Sequence, residues 1–112
     1  MSAAISFSTH IHITANGTYY SDVKDMGMFS AKPVLAAAVS SYVNGDYTVT
    51  LQHTPDAGVH WVDVDSLAAI SSNTALTKSI TANLISIVRL KIVAVNVVAG
   101  AVVDAYLFWD KE

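Results

Sequence analysis

Two chain reversals on either side of one short alternating run constrain this sequence more than any other feature. From Tyr42 to Val64 the order is Asn44-Gly45, then Tyr47, Val49 and Leu51 alternating with Thr48, Thr50 and Gln52, then Pro55-Asp56-Ala57-Gly58. Asn-Gly supports the positive φ that a two-residue type I′ turn needs at both central residues, so strands ending at Val43 and restarting at Asp46 are expected. In that hairpin Tyr42 faces Tyr47, Ser40 faces Val49 and Ala38 faces Leu51, which brings the apolar faces into register. Pro55 suits the first central position of a type I turn and Gly58 the left-handed residue of a bulged hairpin. A return strand over 59–64 then sets Leu51 opposite Trp61.

The flanks read the same way. Residues 4–14 alternate, with Ile5, Phe7, Thr9, Ile11 and Ile13 on one face and Ser6, Ser8, His10, His12 and Thr14 on the other, the pattern of a half-buried strand. Asn16-Gly17 closes a hairpin onto 18–22, and 22–30 is an extended loop whose Met26, Met28 and Phe29 plug a gap under the fold or touch a neighbouring subunit. Pro33 opens a strand over 34–43 that needs no amide from it, and the small Ala36, Ala37 and Ala38 suit close approach of another layer. Downstream, Leu67 to Ile70 allow one helical turn, 76–81 a short strand, 84–95 a long central strand interrupted by Arg89 and Lys91, and 101–110 a last strand with Asp104 across from Lys91.

Seven or eight short strands with turn chemistry between them give an all-β fold, an antiparallel β-sandwich, most naturally a jelly roll, in one domain over 1–112. Within it, 1–30 is an N-terminal strand plus extended loop that serves as an intersubunit arm. The expected core is Ile5, Phe7, Ile11, Ile13, Tyr47, Val49, Leu51, Trp61, Val88, Leu90, Ile92, Leu107 and Trp109.

Composition narrows the function. Charged residues are 13% of the chain, about half the usual share of a soluble domain, and mean hydropathy is +0.44. A domain of 112 residues cannot hide so many apolar side chains in its own core, so part of its surface is expected to be covered by other chains. A net charge of -3 argues against a nucleic-acid footprint, and the apolar run over 92–103, broken by Asn96 and Gly100, is too short to span a membrane. There is no cysteine, hence no disulfide or thiolate metal site, and the N-terminus lacks the basic and apolar regions of a signal peptide.

No constellation carries catalytic chemistry. His10 and His12 share a strand face, but no third or fourth metal ligand is indicated, and His53 and His60 flank a solvated turn. Asp56, Asp63 and Asp65 match no calcium loop, and no nucleophile stands beside a base. Neither a cofactor nor a metal is expected. Asn16-Gly17-Thr18 is a sequon that, without an export signal, reads as a turn. Tyr19, Tyr20 and Trp61 would suit a sugar ring, yet Trp61 is assigned to the core and the two tyrosines point to opposite faces.

The segment Gly45-Asp46-Tyr47-Thr48-Val49-Thr50-Leu51-Gln52-His53-Thr54-Pro55-Asp56-Ala57-Gly58-Val59-His60-Trp61, followed by Ile87-Val88-Arg89-Leu90-Lys91-Ile92, resembles small jelly-roll structural proteins of tailed bacteriophages, head decoration or cement proteins among them. A looser likeness is to discoidin-type carbohydrate-binding sandwiches. The phage resemblance implies a non-enzymatic virion protein on the capsid exterior, made in the host cytoplasm. It would self-associate, as a trimer for preference, and bind the major capsid protein, with neither nucleic acid nor membrane as partner. Tail or neck connectors and glycan- or receptor-binding modules are the alternatives. Expected subunit or capsid contacts are Ser8, His10, His12, Tyr19, Tyr20, Met26, Met28 and Phe29.

Overall fold

The computed structural model describes residues 4–27 and 33–110, and among these described residues the chain forms nine strands and no helix. The strands are β1 (Ala4–Ile13), β2 (Gly17–Tyr20), β3 (Lys24–Asp25), β4 (Val34–Ser40), β5 (Asp46–His53), β6 (Val62–Ser66), β7 (Ala75–Ser79), β8 (Ile87–Val95) and β9 (Ala101–Asp110). They form two antiparallel sheets, one ordered β1-β9-β4-β7 and the other β2-β8-β5-β6 with β3 also on β8. The fold is the expected β-sandwich. Its pairs β1/β9, β2/β8, β4/β7 and β5/β6 nest as one long antiparallel ribbon with its tip at the turn after His53, rolled so that β9 also meets β4 and β8 also meets β5. That winding is a jelly roll.

Alternation decides what is buried. Val88, Leu90, Ile92 and Ala94 of β8 face Val49 and Leu51 of β5 on the inner side, while Val103, Ala105, Leu107 and Trp109 of β9 line the other sheet. Ile13, Met26, Leu35, Val39, Tyr47, Leu67, Ile70 and Ile80 join them in the core, with Phe7 and Ile11 half-buried against it. The side chain of Ile5 lies outside the described residues. The Tyr47 phenol, fully buried, donates to the Asn44 carbonyl at 2.6 Å, and burial pushes its pKa up. A hydroxyl so placed is satisfied without water.

Several sequence expectations are corrected. Asn44-Gly45 does not close a hairpin: β4 and β5 belong to opposite sheets, and each already has neighbours on both edges, β9 and β7 for one, β8 and β6 for the other. Gly45 has φ +108°, but Asn44 is not among the positive-φ residues, so the type I′ requirement at both central positions is unmet. The pairings of Ser40 with Val49 and Ala38 with Leu51 therefore do not occur; Tyr42 and Tyr47 do meet, edge to face, with centroids 6.4 Å apart. Asn16-Gly17 is likewise a corner, from β1 in one sheet to β2 in the other.

Both asparagines work as clamps instead. Asn44 Oδ1 accepts the amides of Val98, Ala99 and Gly100 at 2.8, 3.1 and 3.4 Å, and Asn16 Oδ1 accepts that of Val97 at 2.8 Å. Two corners thus satisfy the backbone of a third, the β8–β9 connection, where hydrogen bonds would otherwise go to water.

The second reversal is a hairpin as expected, the one direct hairpin among the nine strands, but its longer turn starts the return strand, Val62–Ser66, with Val62 opposite His53, and a bulge between Leu51 and Gln52 then sets Leu51 opposite Asp65, so Leu51 does not face Trp61. Trp61 is consequently outside the core, on the outer face of the sheet. Residues 67–70 form no helical turn; Ile70 bridges Tyr47 through paired backbone bonds of 3.0 and 2.8 Å. The long strand begins at Ile87, not 84, and its outward side chains are only half covered. Asp104 does not face Lys91, since β9 and β8 lie in different sheets; it pairs with His10. Within the chain, β1 pairs with β9 along all ten residues.

Candidate functional site

The two outer faces of the sandwich differ in chemistry. On the four-stranded sheet, outward side chains run in rows across the strands: Ser6, Phe108, Val34 and Ser79; then Ser8, Tyr106, Ala36 and Thr77; then His10, Asp104, Ala38 and Ala75. Tyr106 and Phe108 stack at 5.7 Å, 18° from parallel, as a ridge flanked by Ser, Ala, Thr and Val. The charges on this face are carboxylates, Asp104, which bonds the His10 ring, and Asp110 at the margin. The other side chains in these rows are mostly small and uncharged, and Phe108 is 40% exposed. Such a surface is cheap to dehydrate.

The rim of this face is the free edge of β1. Ten residues long, it carries no Lys, Arg, Asp, Glu or Pro, and no strand pairs with its outer side among the described residues. The edge strands of this molecule are otherwise short or charged: β6 has Asp63 and Asp65, and β7 has Lys78. An edge of this length without Lys, Arg, Asp, Glu or Pro is a template for another strand or must be covered. At one end of the sandwich the corners add exposed Val43, Val95 and Val98, the last 83% exposed.

The outer face of the five-stranded sheet is polar and closely linked. Arg89 on β8 lies 4.0 Å from the ring centroid of Tyr20 and 4.3 Å from that of Trp61. Its Nε donates to Gln52 Oε1 at 2.8 Å, and Gln52 Nε2 donates to Asp63 Oδ1 at 2.7 Å. Lys91 Nζ reaches both oxygens of Asp63, at 3.0 and 3.3 Å. The Gln52 bond and the Lys91 ammonium hold the Asp63 carboxyl below its ordinary range, and Lys78 with the Ser66 amide does the same for Asp65. The Lys78–Asp65 pair spans the two sheets at their open side.

The expected contact residues separate. Ser8, His10 and His12 are exposed together on the outer side of β1. Tyr19 and Tyr20 do point to opposite faces: Tyr19 packs on the core with its hydroxyl on the Ala15 carbonyl at 2.8 Å, and Tyr20 stacks on Arg89. Met26 is no surface contact; it is 5% exposed inside the core and fills a gap there. Met28 and Phe29 lie outside the described residues. The histidines of the wide turn have separate duties, His53 accepting the Ile85 amide at 3.0 Å and His60 meeting Asp56 at 2.5 Å. Asp56, Asp63 and Asp65 each have their own partner, and no three His, Asp or Glu among the described residues converge as for a metal. Sequence reasoning missed the Arg89 cluster because it set Trp61 opposite Leu51, whereas the longer turn starts β6 at Val62 opposite His53 and leaves Trp61 beside Arg89.

No protein-family model and no curated protein matches this chain. Solved structures do resemble it in fold. One is of Bacillus endospore appendages, described as disulfide-linked pili, at 9% identity and TM-score 0.55, covering 100% of this chain and 92% of that one. PirA matches at 12% identity and TM-score 0.55 over 93% of this chain and 92% of its own, and a Yersinia pseudotuberculosis-derived mitogen at 15% and 0.53 over 100% and 88%. At these identities the likeness establishes a shared β-sandwich and nothing finer.

Proposed function

We propose that this protein is a non-enzymatic structural subunit that acts as a homo-oligomer within a larger assembly, in the form of a decoration subunit on the exterior of a phage capsid. The observation that carries this reading is the outer face of β1, β9, β4 and β7, with its Tyr106–Phe108 ridge and, beside it, the β1 edge that has no Lys, Arg, Asp, Glu or Pro. A second copy seated there would cover the strand edge and the apolar ridge together, which removes an aggregation hazard and gives a closed interface. Exposed Val43 and Val98 at the corner end supply a separate apolar patch that suits contact with the underlying shell.

The resemblance of 45–61 and 87–92 to phage decoration proteins supports the capsid over other assemblies. A fibre is the second reading, favoured by the fold shared with a pilus subunit, although this chain has no cysteine with which to make a disulfide link. Solution mass by light scattering tests the oligomer: a stable multimer is expected, and Phe108→Arg should weaken it at least about tenfold by placing an unpaired charge in the interface. A monomer at high concentration would refute the proposal. Electron microscopy of virions with the labelled protein separates shell from fibre.

A further inference from the structure

We propose that the outer face of the five-stranded sheet binds an acidic sugar residue, a unit of the hexuronate or sialate class on a glycan, through Arg89. This inference does not depend on the assembly reading, which concerns the opposite sheet.

The guanidinium of Arg89 is held on three sides: Tyr20 and Trp61 at 4.0 and 4.3 Å, and Gln52, itself 6% exposed, on Nε. Its terminal nitrogens make no hydrogen bond to a described residue, and no carboxylate of the described residues comes within ion-pair distance. The nearest acid on the network, Asp63, is already engaged by Lys91 and Gln52. Arg89 is therefore a cation with its flexibility removed and its planar donor fork unspent. Its pre-organised fork suits a planar carboxylate taken bidentate, because little side-chain freedom remains to be lost on binding.

The surroundings select among carboxylates. Trp61 and Tyr20, the latter 48% exposed, flank the fork with apolar surface, while the Asp63 carboxylate, with a side chain 57% exposed, keeps lone pairs beyond those that Gln52 and Lys91 use. Exposed aromatic surface beside the guanidinium donors and a carboxylate acceptor matches a pyranose ring, which has apolar CH groups and hydroxyls that need both kinds of partner. A simple carboxylate would use the fork and nothing else.

The test is titration of the full-length, isotope-labelled protein with glucuronic acid, N-acetylneuraminic acid, glucose and acetate, followed by amide chemical shifts and Trp fluorescence. Either acid is expected to saturate at millimolar concentration with shifts at Gln52, Trp61, Asp63 and Arg89, and acetate and glucose to bind at least about tenfold more weakly. Arg89→Lys, which keeps the charge and loses the fork, should weaken acid binding by a similar factor with the amide spectrum otherwise retained. Absence of saturable shifts with either acid overturns the proposal, as does acetate matching the acids or binding unchanged in Arg89→Lys. Repeating the titration in Phe108→Arg distinguishes failure here from failure of the assembly reading.

Discussion

Gly100 offers the sharpest test of the corner geometry. It is buried, has φ +88°, and an added Cβ would lie 1.7 Å from the Ile13 carbonyl oxygen and 2.8 Å from its carbon. Ordinary carbon-to-oxygen approach is about 3.3 Å, so Gly100→Ala must drive the two backbones apart by roughly 1.6 Å. Ile13 is the last β1 residue paired with β9, opposite Ala101, so that displacement opens the end of the ladder. Gly58 is a matched control, with φ +94° but only Trp61 Cζ2 at 4.0 Å from its added Cβ. Gly58→Ala should therefore cost only the left-handed strain, roughly 1–2 kcal/mol. Gly100→Ala adds an overpacking term of about 1–3 kcal/mol. Urea denaturation of both variants gives the difference as a fall in midpoint at constant m-value, and thermal scans should show an extra loss of at least about 4 °C for each kcal/mol. If the two variants prove equally stable, β1 and the β8–β9 corner do not approach each other as described.

Three other outcomes follow from the structure. Asn44→Ala should cost about 1 kcal/mol and speed amide exchange at Val98 and Ala99, whose acceptor it removes; unchanged exchange would show that water serves as well. Trp61→Ala should cost less than about 2 kcal/mol while Leu51→Ala costs about 2–5, because Trp61 loses only its stacking on Arg89 whereas Leu51 leaves a cavity; the reverse order in denaturation midpoints would restore Trp61 to the core. The Asp56 carboxyl is held at about 2 by the His60 amide and ring, below its ordinary range. A carboxyl whose pKa is lower folded than unfolded adds stability above about pH 4, and that part is lost as pH falls through its folded value. Asp56→Asn should flatten the acid limb of a stability-against-pH curve without abolishing it, since Asp63 and Asp65 shift the same way; an unaltered limb would remove Asp56 from it.

Strand alternation is a local property, and so the inner and outer residues of β1, β5, β8 and β9 were legible in the chain, as were the final strand at 101–110 and the turn over 55–58. The low charge content likewise anticipated apolar surface such as Val98 and Phe108. Strand partnership is different in kind. Asn44-Gly45 has the composition of a tight hairpin, but whether its strands pair depends on which edges β9, β7, β8 and β6 have already taken, and those strands lie far along the chain. The same long-range closure turned both Asn-Gly corners into clamps for 97–100. The register of β5 with β6, which sets His53 opposite Val62 and Gln52 opposite Asp63, decided that Trp61 stands outside on Arg89. Residue chemistry and its period of two specified which side chains seek the interior; only the rolling of the ribbon decided which polar groups would meet, because hydrogen bonds between sheet neighbours have no signature in local sequence.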